Sequence, residues 1–151
     1  ASIVNNTVVG SRNAISGAAG TGIVVYFDAP PGGAITATVV NNLVLNNAAC
    51  GIDAHNAPAV ISHHNDVRGN GTDYCGSAAG AGNFSFDPLL VNAGGGDYHL
   101  SPASPAINAG FNAEAPATDK DGVSRPVGVW VDIGAYESLF GYRLSLPLIT
   151  R

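Results

Sequence analysis

Short apolar runs separated by paired asparagines set the rhythm of the first half of the chain. Ile3-Val4-Asn5-Asn6-Thr7-Val8-Val9 returns after 36 residues as Val39-Val40-Asn41-Asn42-Leu43-Val44-Leu45. A weaker third copy, Ile61-Ser62-His63-His64-Asn65-Asp66-Val67, follows at a further offset of 22. The runs are too short to present a helical stripe and have the length and β-branched content of strands. A short segment opening on glycine follows each of the first two copies, Gly22-Ile23-Val24-Val25-Tyr26-Phe27 and Gly51-Ile52-Asp53-Ala54-His55. An interval of 22 residues suits one coil of a β-solenoid, and the 36-residue interval reads as a coil carrying an inserted loop over 10–20.

A strand of about three residues cannot bury a face alone, but coils stacked about 4.8 Å apart pair each backbone group with the coil above and below and build a shared interior. Val, Ile and Leu then point inward. Asn5/Asn6, Asn41/Asn42 and His64/Asn65 take the corners, where asparagine tolerates left-handed backbone and hydrogen-bonds its copy in the next coil. The fold expected is all-β, a short parallel β-helix of about three coils over residues 1–70. A β-sandwich with Asn-rich hairpin turns is the alternative, but it has no need for a repeated VVNNxVL string.

After Asn65 the rhythm gives way to loops rich in Gly, Pro and Asp, which predicts an irregular C-terminal cap over 71–138. An uncovered coil end would pair with any strand edge it met, so the cap is expected to sit over the last coil. Tyr98, Leu100, Ile107, Trp130, Ile133 and Tyr136 supply its apolar layer, and Trp130, the only tryptophan, reads as packing rather than as a sugar platform.

Five words follow one another here: Asn65-Asp66-Val67-Arg68-Gly69-Asn70, Asp87-Pro88-Leu89-Leu90-Val91, Gly96-Asp97-Tyr98-His99-Leu100, Ser104-Pro105-Ala106-Ile107-Asn108-Ala109-Gly110, and Asp119-Lys120-Asp121-Gly122 through Arg125-Pro126 to Val131-Asp132-Ile133-Gly134-Ala135-Tyr136-Glu137. The succession closely resembles the C-terminal end of secreted bacterial right-handed parallel β-helix proteins of the choice-of-anchor type. The resemblance implies a right-handed β-helix, secreted or surface-attached and closed by a cap, in a group mostly without an assigned activity. Asn108 departs from the aspartate more usual in that group, which counts against a metal there.

At 151 residues the chain has the size of one domain. Charged residues make up 11%, against roughly 25% in an average soluble protein, while 20 Gly, 9 Pro and 14 Asn take their place. A net charge of −5 offers no footprint for nucleic acid or an anionic membrane. No apolar run reaches the roughly 18 residues of a membrane-spanning helix. The start at Ala1 lacks the basic region of a signal peptide and reads as a processed chain or a piece of a longer one. Cys50 and Cys75 lack CxxC spacing, so one disulfide is the simplest pairing and two buried thiols are the alternative. A disulfide with a single lysine points to an extracellular or cell-surface location.

Asp119-Lys120-Asp121-Gly122 has the spacing of half a calcium loop but lacks the glutamate that ends an EF-hand. Asp119 and Asp121, joined by Asp132 and with Glu137 nearby, form the candidate calcium site; the competing reading is a solvated turn with a salt bridge from Arg125. No other cofactor is expected. His63 and His64, adjacent on a strand, would point to opposite faces and serve as a solvent-facing corner rather than share an ion. Asn5, Asn70 and Asn83 head N-x-S/T glycosylation patterns, at the frequency chance gives in an Asn-rich chain. Catalysis is not expected, because the coils carry Asp28, Asp53 and Asp66 but neither Glu nor Lys, and no GxSxG elbow accompanies the histidines.

Over 139–151, Tyr142, Leu144, Leu146 and Leu148 alternate as in a strand. Such a tail folds back, anchors the chain, or is donated to a neighbouring subunit. With an open first coil it predicts a surface that accepts a second molecule. The function expected is that of a non-enzymatic extracellular structural protein, a self-assembling filament subunit or surface adhesin module built from identical subunits, with a cell-surface glycan as a further partner. The alternative is a carbohydrate-binding or carbohydrate-degrading β-helix module.

Overall fold

The computed structural model describes residues 1–12, 20–26, 36–55, 59–77 and 79–140. The tail residues Tyr142, Leu144, Leu146 and Leu148, and Asp28, lie outside that set.

Each copy of the repeat becomes two strands joined at its asparagine pair, and the following segment becomes a third. The first pass consists of β1 (Ser2–Val4), β2 (Thr7–Val9) and β3 (Ile23–Val24); the second of β4 (Thr36–Val40), β5 (Leu43–Leu45) and β6 (Cys50–Asp53). The third consists of β7 (Ala59–His63), β8 (Asp66–Arg68) and β9 (Thr72–Cys75). Pairing is parallel throughout these passes and gives three sheets, ordered β1-β4-β7, β2-β5-β8 and β3-β6-β9. One cluster of buried side chains draws on all three sheets, with Val39, Val44 and Ile52 at its centre and Ala37, Ile23 and Val67 around them. The third pass runs on through β9, beyond the boundary expected after Asn70.

The register of the third copy differs by one residue from the sequence alignment. Val39 pairs with Ser62 and Leu43 with Asp66, an offset of 23 and not 22. A one-residue slip would turn every side chain to the opposite face, and two features set the observed register. Val8, Val44 and Val67 form one inward column, and the corner asparagines form a hydrogen-bonded ladder. Asn6 donates its backbone N–H (2.9 Å) and Nδ2 (3.0 Å) to Asn42 Oδ1, and Asn42 does the same to Asn65 Oδ1 at 2.9 Å each. Asn65 in turn donates both groups to Asn83. Their predecessors Asn5, Asn41 and His64 carry the left-handed turn, with φ of 53°, 58° and 52°. A second ladder, Ser11 to Asn47 to Asn70, supports the next corner.

Cys50 and Cys75 form a disulfide that joins β6 to β9 in neighbouring passes. Closing a loop of this length contributes about 3 kcal/mol.

The cap meets the stack at two places, over the last coil and along a flank. Leu43 and Leu45 point out of the middle sheet and are buried by Leu100, Ala106 and Ile133, with Val9 and Phe84 at the margin. Gly134 N–H donates to Asn41 O, Ala135 N–H to Thr7 Oγ1, and Asn5 Nδ2 to Asp132 O. The cap therefore lies along the flank of the first and second passes, because the left-handed corners turn polar groups outward that need partners. Residues 80–86 cover the middle sheet beyond the third pass, where Phe84 bridges Asp66 and bonds the backbone of Asn65 and Val67. Within the cap, β10 (Leu90–Asn92) and β11 (Asp97–Leu100) form an antiparallel pair. Of the predicted apolar layer Leu100, Ile133 and Tyr136 are buried, whereas Trp130 is 50% exposed.

Candidate functional site

Of the acidic residues proposed for calcium, Asp119, Asp132 and Glu137 accept buried backbone amides of the cap. Among the described residues no group of three His, Cys, Asp or Glu side chains is gathered for a metal ion. Asp119 Oδ1 accepts the N–H of Asp121 and of Val123, and its Oδ2 accepts that of Glu137. Asp132 accepts from Asn108 N–H and Ser138 N–H, and Glu137 from Val127 N–H and Asp132 N–H. In a segment with little regular structure, these carboxylates replace the sheet as acceptors for buried amides. The neutralising cation is Arg125, which bonds Glu137 Oε2 at 2.8 Å and the carbonyls of Asp132 and Gly134. The side chains of Arg125 and Glu137 are 1% and 0% exposed, so the solvated turn read from the sequence is a buried ion pair. Asp121 lies apart, exposed, and bonds His99.

His99 is held at both ring nitrogens, by Asp97 at 2.6 Å and Asp121 at 2.9 Å, with its ring centroid 4.0 Å from that of Tyr136. The bond to Asp97 raises its pKa. Burial raises Asp66 to about 7 and Asp132 to about 6, against ordinary values of 3.8. Asp66 stands in the outward column under Leu43, fully buried, with Phe86 N–H on Oδ1 and no partner on Oδ2.

These groups share a sign. A carboxyl that binds its proton more tightly when folded loses stability as pH rises from about 4 to about 7, and protonated His99 contributes most below its ordinary range and least above its raised pKa. His64 opposes them, since burial and then His63 lower its pKa. Asp53, Asp97 and Asp121 are lowered by hydrogen bonds, from His55 for the first and His99 for the others. Their contribution is lost only on acidification below about 4. Urea midpoints are expected to be higher at pH 5 than at pH 8, and Asp66→Asn should remove the largest part of the difference. A flat profile, or a maximum above pH 8, would contradict this assignment.

The two adjacent histidines do not face opposite ways. His64 occupies the left-handed corner, which swings it beside His63 (Nδ1 to Nδ1, 3.0 Å) and onto Phe111, a stacked pair at 5.5 Å. Both are half-buried rather than solvent-facing. Phe111 docks on the neighbouring corner, accepting Asn41 Nδ2 at its carbonyl and donating its N–H to Asn41 Oδ1. Trp130 stands next to this group, between two cavities of about 380 and 510 Å³. Sequence reasoning passed over Phe111, and the one signal was histidine in place of the repeated corner asparagine.

The glycosylation candidates belong to the framework. Asn5 Nδ2 donates to Asp132 O and Gly134 O, Asn70 Nδ2 to Val44 O and Asp73 Oδ1, and Asn83 Nδ2 to Ser62. A glycan on any of these nitrogens would displace such bonds.

Among the described residues, strands β1, β2 and β3 at the first-pass end each have a single neighbour. Ile3 and Val8 point toward the interior cluster yet are only partly buried, and Asn6, which begins the ladder, is exposed. Ala1 O and Asn5 N–H bond β4, so alternation along a parallel strand turns Ser2 toward the open edge. Among the described residues no helix is long and apolar enough to cross a membrane. No family model, curated protein or solved structure matches this chain.

Proposed function

We propose that the three sheets wind as a short right-handed parallel β-helix, resembling the choice-of-anchor type, and that the protein is a non-enzymatic, extracellular structural module that stacks copies of itself through its first-pass end. The edge of β1, β2 and β3, unpaired among the described residues, carries this reading, because exposed backbone donors and acceptors above a partly covered apolar column favour the addition of strands. The disulfide and the scarcity of charge support an extracellular setting.

Self-association in sedimentation velocity, rising with concentration, is the expected result, with filaments or discrete oligomers in negative-stain images. Ser2→Pro combined with Val24→Lys should abolish it at little cost to the melting temperature. Proline removes an edge N–H, and Val24, 57% exposed on β3, lets lysine charge the edge. A wild-type chain that stays monomeric at every concentration, or a double variant that assembles normally, would reject the proposal.

A further inference from the structure

We propose that the cleft on either side of Trp130 binds a neutral saccharide, with the indole as the platform for a sugar ring. A half-exposed tryptophan on a loose loop would mean little, but this one is displayed on a fixed strip. Trp130 N–H donates to Asn108 Oδ1 (3.2 Å) and Val131 N–H to Asn112 Oδ1 (2.8 Å). Asn112 Nδ2 donates to Val129 O (3.0 Å), and Gly110 N–H to Val131 O (2.8 Å). The strip fixes the backbone from which the ring projects, so binding need order only the side chain.

The indole separates two cavities that share Asn108 as a second common wall. His64, Gly110 and Phe111 line the smaller, of about 380 Å³; Ser104, Ile107 and Phe140 line the larger, of about 510 Å³. Both fall within the roughly 300–1,000 Å³ of small-molecule sites. In a chain with net charge −5, none of the described residues lining either cavity is Lys, Arg, Asp or Glu, and burial holds His64 toward its neutral form. Among the described residues, phosphate, carboxylate and ammonium ligands would meet no counter-charge here. The ligand that fits is uncharged, with an apolar face for the indole and hydroxyl groups for the amide, hydroxyl and imidazole around it. A neutral oligosaccharide offers both in each unit, and the adjoining cavities give two successive units a place. The site lies beside the second- and third-pass corners, away from β1–β3.

Trp130 is the only tryptophan, so its fluorescence reports this site alone. Titration with cellohexaose, xylohexaose, mannohexaose and chitohexaose should give a saturable blue shift with at least one of them. By calorimetry, Trp130→Ala should weaken that binding at least about tenfold. Trp130→Tyr should retain part of it, which guards against a variant that fails to fold. The proposal is overturned by no saturable response to any of the four, by unchanged affinity in Trp130→Ala, or by a response to a polyproline peptide alone. The Ser2→Pro, Val24→Lys variant should bind saccharide as the parent does, so failure of self-association and failure of this site are read separately.

Discussion

Arg125→Leu is expected to lower the unfolding free energy by roughly 3–5 kcal/mol, the range for breaking a buried ion pair by removing one partner. Glu137 would keep its backbone donors, Val127 N–H and Asp132 N–H, but lose its counter-charge at 0% side-chain exposure. The carbonyls of Asp132 and Gly134 would lose their guanidinium donors in the same step. For a chain of this length that loss corresponds to roughly 6–20 °C in melting temperature. Arg125→Lys should recover little, since one ammonium cannot reach the carboxylate and both carbonyls as a planar fork does. Pairing Arg125→Met with Glu137→Leu should be milder than Arg125→Leu, because no lone buried charge remains. Urea unfolding of the three variants checks the order. A loss below about 1 kcal/mol for Arg125→Leu would place the pair in solvent and refute the buried network.

Asn42→Asp should destabilise the parallel sheets by about 3 kcal/mol or more at neutral pH, with a signature in its pH dependence. Asn42 Nδ2 donates to Ile3 O at 3.0 Å, Val40 O at 2.9 Å and Asn65 Oδ1 at 2.9 Å, and the residue is fully buried. Aspartate puts an acceptor, and at neutral pH a charge, against three acceptors. Protonation restores one donor, so the variant should regain part of its stability as the pH falls toward 4, to a degree that Asn42→Leu does not. Equal losses for Asp and Leu at every pH would mean that the ladder acts only by filling space.

The strands were legible because the feature that makes them, short Val- and Ile-rich runs closed by Asn-Asn, is local. Asn5, Asn41 and His64 were legible as corners for the same reason, since left-handed backbone selects a few residue types wherever it occurs. The third copy came out one residue off because its apolar positions are diluted. Ser62 replaces Val39 in the column and Asp66 replaces Leu43, and only the Asn42 to Asn65 bond shows which alignment the backbone uses. The acidic words of the cap left two readings open. Carboxylates that accept backbone amides and carboxylates that bind calcium occupy similar spacings, and which they do depends on whether a cation such as Arg125 folds in among them.

The sequence by itself determined the all-β character, the paired strands of each repeat copy and the corner asparagines, because each rests on contacts between equivalent positions of a repeat; Cys50 and Cys75 stand opposite Thr72 and Asp53, and their spacing alone left free thiols open. The tertiary structure alone decided where the cap lies. Packing along the flank as well as over the third-pass end buries Leu43 and Leu45 and satisfies Asn5 and Asn41, contacts that span 70 to 129 residues in the hydrogen bonds that make them. Among the described residues, that placement leaves β1–β3 with one neighbour each and Trp130 half-exposed near the second- and third-pass corners.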